Sequence, residues 1–348
     1  MGRRRQRIRG AITSARLAAD LLRVRSTQER RPLIVSWTIT HRCNLRCAYC
    51  DVPLQNLEEL DTAEALAMVD AMRSLGTRAV SLTGGEPLVR TDIVEIVAAL
   101  QAAGMLVSIN SNGTYLPRRA GVLRHLSRMQ LSLDGPAHVH DPIRGPGSFA
   151  EVQTAAQMTK DAGLPLVLSV VLSRHNLHTL DELVDIARAW GARLSFHPVG
   201  PVHAFDLDYE AQRPTKAEMV AALDHLERLA RAGAPILGSP SSFAYLRHWP
   251  EAPPIACFGA RAMAKLAADG QVFPCAILEH RTQGGDARAQ GLAAAFASIA
   301  DDPLACSGCH CTKTLQLNRV FWDLLDAVPW SARALLTRAE PRGVPGRA

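Results

Sequence analysis

Eight cysteines are the residues best equipped for chemistry, and they are grouped rather than scattered. Cys43, Cys47 and Cys50 make a C-x3-C-x2-C run, and Cys257, Cys275, Cys306, Cys309 and Cys311 form a second group after more than two hundred cysteine-free residues. A disulfide framework would distribute its cysteines, and no stretch has the apolar core of an export signal. The expectation is therefore a cytoplasmic protein whose reduced thiols bind metal. Three thiolates on one loop cannot complete a tetrahedral zinc site without a fourth ligand from elsewhere. Three on a cubane iron–sulfur cluster leave one iron open, available to a ligand that is not protein.

The elements that must position these thiols follow from hydrophobic periodicity. Short β-branched runs at 33–40, 79–82, 105–110, 129–133, 166–172 and 193–197 alternate with amphipathic stretches at 62–75, 92–103, about 118–126, 149–162, 180–190 and about 216–231. Six such units with right-handed crossovers build a parallel sheet covered by helices. The expected fold class is α/β, a partial (β/α)6 barrel of TIM type spanning 33–232, with a doubly wound open sheet as the competing architecture. Either places ligand-binding loops at the carboxyl ends of the strands, and the cysteine triplet follows the first strand directly. A Pro- and Ser-rich linker is expected at 233–254, then a small auxiliary domain at 255–330 and a tail at 331–348. That domain should contain a hairpin at 263–267 and 271–273, turning at Asp269-Gly270, and a helix near 317–325.

The triplet, with Tyr49 just before its last cysteine and the whole directly after the first strand, resembles the radical S-adenosylmethionine superfamily. The resemblance implies that Cys43, Cys47 and Cys50 hold a 4Fe-4S cluster whose open iron is chelated by the amino and carboxylate groups of S-adenosylmethionine. One unit later, Thr83-Gly84-Gly85-Glu86-Pro87 looks like the family's glycine-rich motif, whose backbone meets the methionyl amino group. Glycine suits such a place because only a residue without Cβ lets the backbone come that close to a ligand. Asn110-Ser111-Asn112-Gly113 and Leu131-Ser132-Leu133-Asp134-Gly135-Pro136 are similar to family segments lining the ribose and carboxylate pocket, which implicates Asn112, Ser132 and Asp134. Arg144 falls in a loop where the family often has an arginine. Without the family, Asn-Gly and Asp-Gly are ordinary turn dipeptides.

In the second group, Cys257, Gly270 and Cys275 give C-x12-G-x4-C, which resembles the opening of the auxiliary-cluster domains called SPASM and twitch. Five cysteines fall short of the seven that two auxiliary clusters need, so one auxiliary 4Fe-4S cluster of twitch type is implied, with Cys257, Cys275, Cys306 and Cys309 as its ligands. Cys311 is then surplus or replaces Cys309. Four thiolates in these pairs would also make a structural zinc site. With four protein ligands no iron stays open, so the cluster would relay electrons or staple the fold. The activity implied is reductive cleavage of S-adenosylmethionine to a 5′-deoxyadenosyl radical, followed by hydrogen abstraction that leads to dehydrogenation, epimerisation or bond formation. A flavodoxin- or ferredoxin-type protein would be the reductant. A non-catalytic iron–sulfur or zinc-binding protein is the alternative for the same cysteines.

The chain has 348 residues, 47% apolar, which supports a sizeable core. Ten arginines against Asp20 and Glu29 give Met1–Arg31 a charge of +8, where the whole chain carries +6, so the remainder is slightly acidic. The basicity is local, and nucleic acid is not the expected partner. Ile8, Ala11, Ile12, Ala15, Ala18, Leu21 and Leu22 recur at helical spacing. Residues 1–32 should form a basic amphipathic helix that caps the main domain or touches the inner face of an anionic membrane. This segment is shorter than the peptide-recognition domains that peptide-modifying relatives often carry. A small molecule, sugar, nucleoside or lipid-linked substrate is therefore expected, with anionic or amphiphilic character. His197, ending the sixth strand, and His310, between two cysteines, complete the candidates as a substrate contact and a ligand.

Overall fold

The computed structural model describes residues 3–27, 29–55, 57–199, 209–251, 253, 255, 257–276, 278–279, 282–299, 309, 315 and 318. Strands β1 (Ile34–Thr40), β2 (Ala79–Gly84), β3 (Leu106–Ser111), β4 (Arg128–Ser132), β5 (Leu166–Leu172), β6 (Arg193–Pro198) and β7 (Ile236–Leu237) lie side by side in chain order, all parallel. Helices precede and join them: α1 (Arg3–Thr27), α2 (Thr62–Ser74), α3 (Ile93–Ala102), α4 (Ala137–Arg144), α5 (Ser148–Asp161), α6 (Leu180–Trp190), α7 (Tyr209–Gln212) and α8 (Lys216–Arg231). A doubly wound sheet reverses its strand order at a switch point. From β1 to β7 the order never reverses, as in a barrel, and the partial TIM-type barrel is the architecture.

Register explains the two faces of the sheet. One row carries Leu266, Trp37, Leu82, Ile109, Met129 and Leu166, all buried, in a core shared with Met68, Val69 and Met72 of α2 and Ile93, Ile96, Val97 and Leu100 of α3. The adjacent row carries Lys265, Ser36, Ser81, Ser108 and Arg128. Since side chains alternate along a strand, the hydroxyl, amide and cationic residues all line the face turned away from the helices. The barrel is therefore polar inside.

Capping residues set the helix starts. Asp61 and Glu64 form a reciprocal capping box on α2, and Thr215 and Glu218 another on α8. The helix expected near 118–126 is instead a 3-10 run, Pro117–Arg124, broken at Arg119. Pro117 at its start and Gly121 within it disfavour a regular α-helix.

The stretch 233–254 is expected as a linker, but its residues 236–249 fold into the core. Ile236 of β7 pairs with Leu194, and α9 (Pro240–Leu246), capped by Ser239, buries Phe243, Tyr245 and Leu246, followed by Trp249. Apolar side chains set among the Pro and Ser residues give the segment something to bury. The expected hairpin forms as β8 (Met263–Leu266) and β9 (Gln271–Phe273), but it does not stand apart. β8 pairs in parallel with β1, and β10 (Gly285–Asp286) follows β9, giving one ten-stranded sheet. Two short helices, α10 (Ala287–Gln290) and α11 (Leu292–Ser298), complete this part. Cys306, His310, Cys311 and the tail lie outside the described residues, as does the expected helix 317–325 except for Asn318.

Candidate functional site

The cysteine loop leaves β1 at the carboxyl edge of the sheet and is fastened from below. Glu59 Oε1 accepts hydrogen bonds from Thr40 Oγ1 at 2.7 Å and His41 N at 2.8 Å, and its Oε2 lies 3.3 Å from Arg42 Nε. Buried Arg90 donates to the carbonyls of Ile39 and Leu60 and pairs with Asp92 at 2.6 Å. The Thr83–Pro87 motif lies directly against this loop. Gly85 N donates to Thr40 O at 2.8 Å and Glu86 N to Arg42 O at 2.9 Å. A Cβ on Gly84 would stand 2.1 Å from Thr40 O, and one on Gly85 would stand 2.3 Å from Arg42 O. These glycines are needed for close approach to the chain that bears the cysteines.

Glu86 is fully buried, with its carboxylate turned into the protein. It accepts from Leu88 N at 2.9 Å, Ser111 Oγ at 2.8 Å and Asn112 N at 2.7 Å, tying β2 to the end of β3. Burial raises its pKa from 4.5 to about 7, against the three donors that favour the anion. The folded group thus holds its proton to higher pH than the unfolded one. Its stabilising contribution is full below about pH 4.5 and is lost as pH rises through 7, a change of roughly 3 kcal/mol. In denaturant unfolding, the stability gap between wild type and Glu86→Gln should narrow by about that amount between pH 5 and pH 8.

Asn112, placed by Glu86, reaches the first cysteine. Its Nδ2 donates to Asn44 Oδ1 at 3.0 Å and lies 3.8 Å from Cys43 Sγ, while Thr114 N and Oγ1 donate to its Oδ1. Arg144 reaches the second, its Nη1 standing 3.8 Å from Cys47 Sγ. The same guanidinium donates from Nε to Asp134 Oδ2 at 2.6 Å and from Nη2 to Tyr49 Oη, and Tyr49 Oη donates to Asp134 Oδ2 at 2.7 Å. Three residues singled out separately in the sequence therefore close into one buried clamp on the loop. Burial pushes the Asp134 carboxyl up, but Arg144 outweighs it and holds the pKa below the usual range.

Arg144 is not in a loop as expected. It ends α4, whose start after Asp134-Gly135-Pro136 and internal Pro142 disguised it. The carbonyl of Ile143 in α4 also accepts from Ala48 N of the cysteine loop at 3.0 Å. Ser132, at the end of β4 and half-buried, makes no side-chain hydrogen bond among the described residues.

Four further residues shape the site without any local motif to announce them. Asn44 joins the network around Asn112, and Asn176 Nδ2 donates to the carbonyls of Asp134 and Val171. Glu59 anchors the loop entry. His140 accepts from Asp134 N through Nδ1 at 3.0 Å, while its buried Nε2 has no partner among the described residues. His197 lies on the polar face, 3.2 Å from Ser195 Oγ.

The donor set fits an iron–sulfur group. The three thiols interact electrostatically with one another, and burial raises the pKa of each, Cys50 to about 11, so an uncompensated thiolate is disfavoured there. A bound cation reverses that preference, because a coordinating thiol is deprotonated outright. Among the described residues no three His, Cys, Asp or Glu side chains close on a single metal ion. Cubane ligands stand farther apart than the sulfurs round one zinc, which are separated by about 3.8 Å. Hydrogen bonds to sulfur from Leu45 N at 3.4 Å, Asn112 and Arg144 suit such a group.

Three cysteines of the second group are described. Cys257 Sγ accepts from Gly259 N at 3.2 Å and Asn318 Nδ2 at 3.4 Å, and it packs at Gly259 beside Pro274, the neighbour of Cys275. Buried Cys309 donates its N–H to Tyr245 Oη at 2.9 Å. Lys265, also buried, donates to Thr38 Oγ1, lies 3.6 Å from Glu279 Oε2 and feels the charge of Cys275. It thus stands between this group and the strand leading to Cys43.

A family model described as the Radical SAM superfamily matches residues 37–187. The chain is 31% identical over 280 residues to the AdoMet-dependent heme synthase of Methanosarcina barkeri, covering 71% of this chain and 77% of that protein. It is 33% identical over 259 residues to the PqqA peptide cyclase of Methylocella silvestris, covering 69% and 67%. In shape it resembles Streptococcus suis SuiB bound to S-adenosylmethionine, with a TM-score of 0.65 at 16% identity, over 82% of this chain and 69% of that one. The protein belongs to the radical S-adenosylmethionine superfamily of enzymes, in the branch that carries a SPASM/twitch-type auxiliary segment.

Proposed function

We propose that Cys43, Cys47 and Cys50 hold the S-adenosylmethionine-binding cluster and that Cys257, Cys275, Cys306 and Cys309 hold one auxiliary 4Fe-4S cluster. The observation that carries this reading is the loop at the carboxyl edge of β1, where Asn112 and Arg144 each present an N–H to a different cysteine. When bound, the family's 4Fe-4S cluster and S-adenosylmethionine would supply radical chemistry able to abstract hydrogen from an unactivated carbon, which no side chain can do.

The protein's own share is placement. Asn112 and Arg144 steady the sulfur charge, Asp134 and Tyr49 orient Arg144, and Glu86 orients Asn112. The Gly84-Gly85 backbone shapes the wall beside the loop, Pro87 starts the turn that buries Leu88, and the Ser132 hydroxyl, at the end of β4, would be available to the cofactor's polar groups. Cys311 is either surplus to the auxiliary ligand set or takes the place of Cys309 in it. An auxiliary cluster held by these cysteines would supply an electron relay or a structural staple, and a flavodoxin- or ferredoxin-type protein would be the external reductant.

A peptide substrate is supported by the name of the PqqA peptide cyclase relative and replaces the small molecule or sugar expected from the short N-terminal segment. The polar barrel interior suits a peptide's many donors and acceptors. Arg128, on that face with its buried Nε lacking a partner among the described residues, suits an acidic group on it. The heme synthase relative favours a second reading, a carboxylate-bearing tetrapyrrole.

The test is anaerobic reconstitution with iron and sulfide, then dithionite and S-adenosylmethionine. 5′-Deoxyadenosine and methionine should form, and none above the enzyme-free background would overturn the reading. A rise in yield on adding a porphyrin would favour the second substrate. Cys275→Ala should lose about four irons per chain while still forming 5′-deoxyadenosine, as iron assay and product chromatography would show.

A further inference from the structure

Helix α1 has two apolar faces, and the barrel uses only one. Gly10, Thr13, Leu17, Asp20, Leu21 and Val24 lie toward the barrel. Leu21 and Val24 are buried against Leu33, Phe258 and Ala262, Thr13 Oγ1 donates to Gly104 O at 3.2 Å, and Asp20 pairs with Arg78 at 2.8 Å. These contacts fall at the amino ends of β1 to β3. The second face holds Ile8, Ala11, Ile12, Ala15, Ala18, Ala19 and Leu22, all exposed, within an arc of about 120° at 3.6 residues per turn.

Ile8, Ile12 and Leu22 are 53%, 47% and 49% exposed, and they are three of the five large apolar side chains exposed among the described residues. Arg16 borders the arc on one side and Arg25 on the other, both exposed and, among the described residues, without an ion pair. Asp20 and Glu29, the segment's two acids, are engaged with Arg78, Arg23 and Arg31. Ahead of Ile8 the sequence adds Arg3, Arg4, Arg5 and Arg7.

We infer that this outer face of α1 lies on an anionic phospholipid surface. An apolar arc bordered on both sides by arginine is the pattern of a helix lying in the interface plane, with each cation near the surface worth about 1 kcal/mol. A second copy of the same face would bring arginine against arginine. No helix among the described residues is long and apolar enough to cross a membrane, so the contact is peripheral.

The fold then fixes an orientation. α1 sits at the amino ends of the strands and Cys43 at the carboxyl end of β1, about 20 Å away along seven strand residues. The site opens away from the bilayer, so its substrate arrives from the aqueous side.

Co-sedimentation of the reconstituted enzyme with phosphatidylcholine vesicles, with and without phosphatidylglycerol, tests this at 0.15 M salt. The enzyme should sediment with the anionic vesicles and not with phosphatidylcholine alone. Binding should fall about tenfold or more in Ile8→Glu/Ile12→Glu/Leu22→Glu, and about thirtyfold in Arg16→Gln/Arg25→Gln, with 5′-deoxyadenosine formation unchanged in both. Equal binding by wild type and the triple variant would overturn the inference. So would a wild type that ignores anionic vesicles, and a shift of that enzyme from dimer to monomer on triple substitution would then assign the face to a second copy.

Discussion

Cys47→Ala is expected to reduce 5′-deoxyadenosine formation to the enzyme-free background, a loss of at least about 10³-fold, while leaving the chain folded. Removal of one half-buried sulfur leaves no large cavity, and the hydrogen bonds that fix the loop run through backbone and other side chains. Ala48 N still reaches Ile143 O, and Glu59 still holds Thr40 and His41. Stability should therefore change by about 1 kcal/mol or less. A non-catalytic protein using its cysteines only for stability would behave the other way, losing fold and having no turnover to lose. Circular dichroism beside product chromatography separates the two.

Arg144→Met is expected to destabilise the fold by about 3–5 kcal/mol, because it leaves the Asp134 carboxylate fully buried without its counter-ion. Val171 N and Tyr49 Oη would remain as donors to Asp134, which moderates the effect without removing it. The double variant Asp134→Asn/Arg144→Met should be distinctly more stable than the sum of the two single changes implies, since the charges are removed together. Denaturant unfolding of the four proteins closes the cycle. Additive effects would mean that the two side chains do not act as a pair.

Much of this site was legible in the sequence because its residues are tied to strand ends. A C-x3-C-x2-C run after one strand, a Gly-Gly-Glu-Pro after the next and Asn112 and Asp134 after the following two must meet once parallel strands align their carboxyl ends. Strand β5 and helices α6 and α8 fall where periodicity and caps place them. What periodicity could not reveal was α4, since Pro142 interrupts its pattern and only its tertiary contacts with Asp134 and the cysteine loop justify it. The folding of 233–254 was hidden by its Pro and Ser content, although Phe243, Leu246 and Trp249 were there to be buried.

The glycine motif, expected to approach a ligand through its backbone, also lies against the carbonyls of Thr40, His41 and Arg42, a second demand on its glycines that the sequence does not announce. The apolar residues of α1 were read as a single face. Leu21 belongs to the docked side and Leu22 to the exposed one, a division that only the position of the barrel reveals.

Iron and sulfide counts with low-temperature paramagnetic resonance, on wild type and on Cys43→Ala/Cys47→Ala/Cys50→Ala after identical anaerobic reconstitution, bear most directly on a two-cluster enzyme. Wild type should hold about eight irons and eight sulfides per chain, with S-adenosylmethionine altering the signal of one cluster only, and the triple variant about four of each with no response to S-adenosylmethionine. A wild type with about four irons, or a triple variant that keeps its full count, would contradict it.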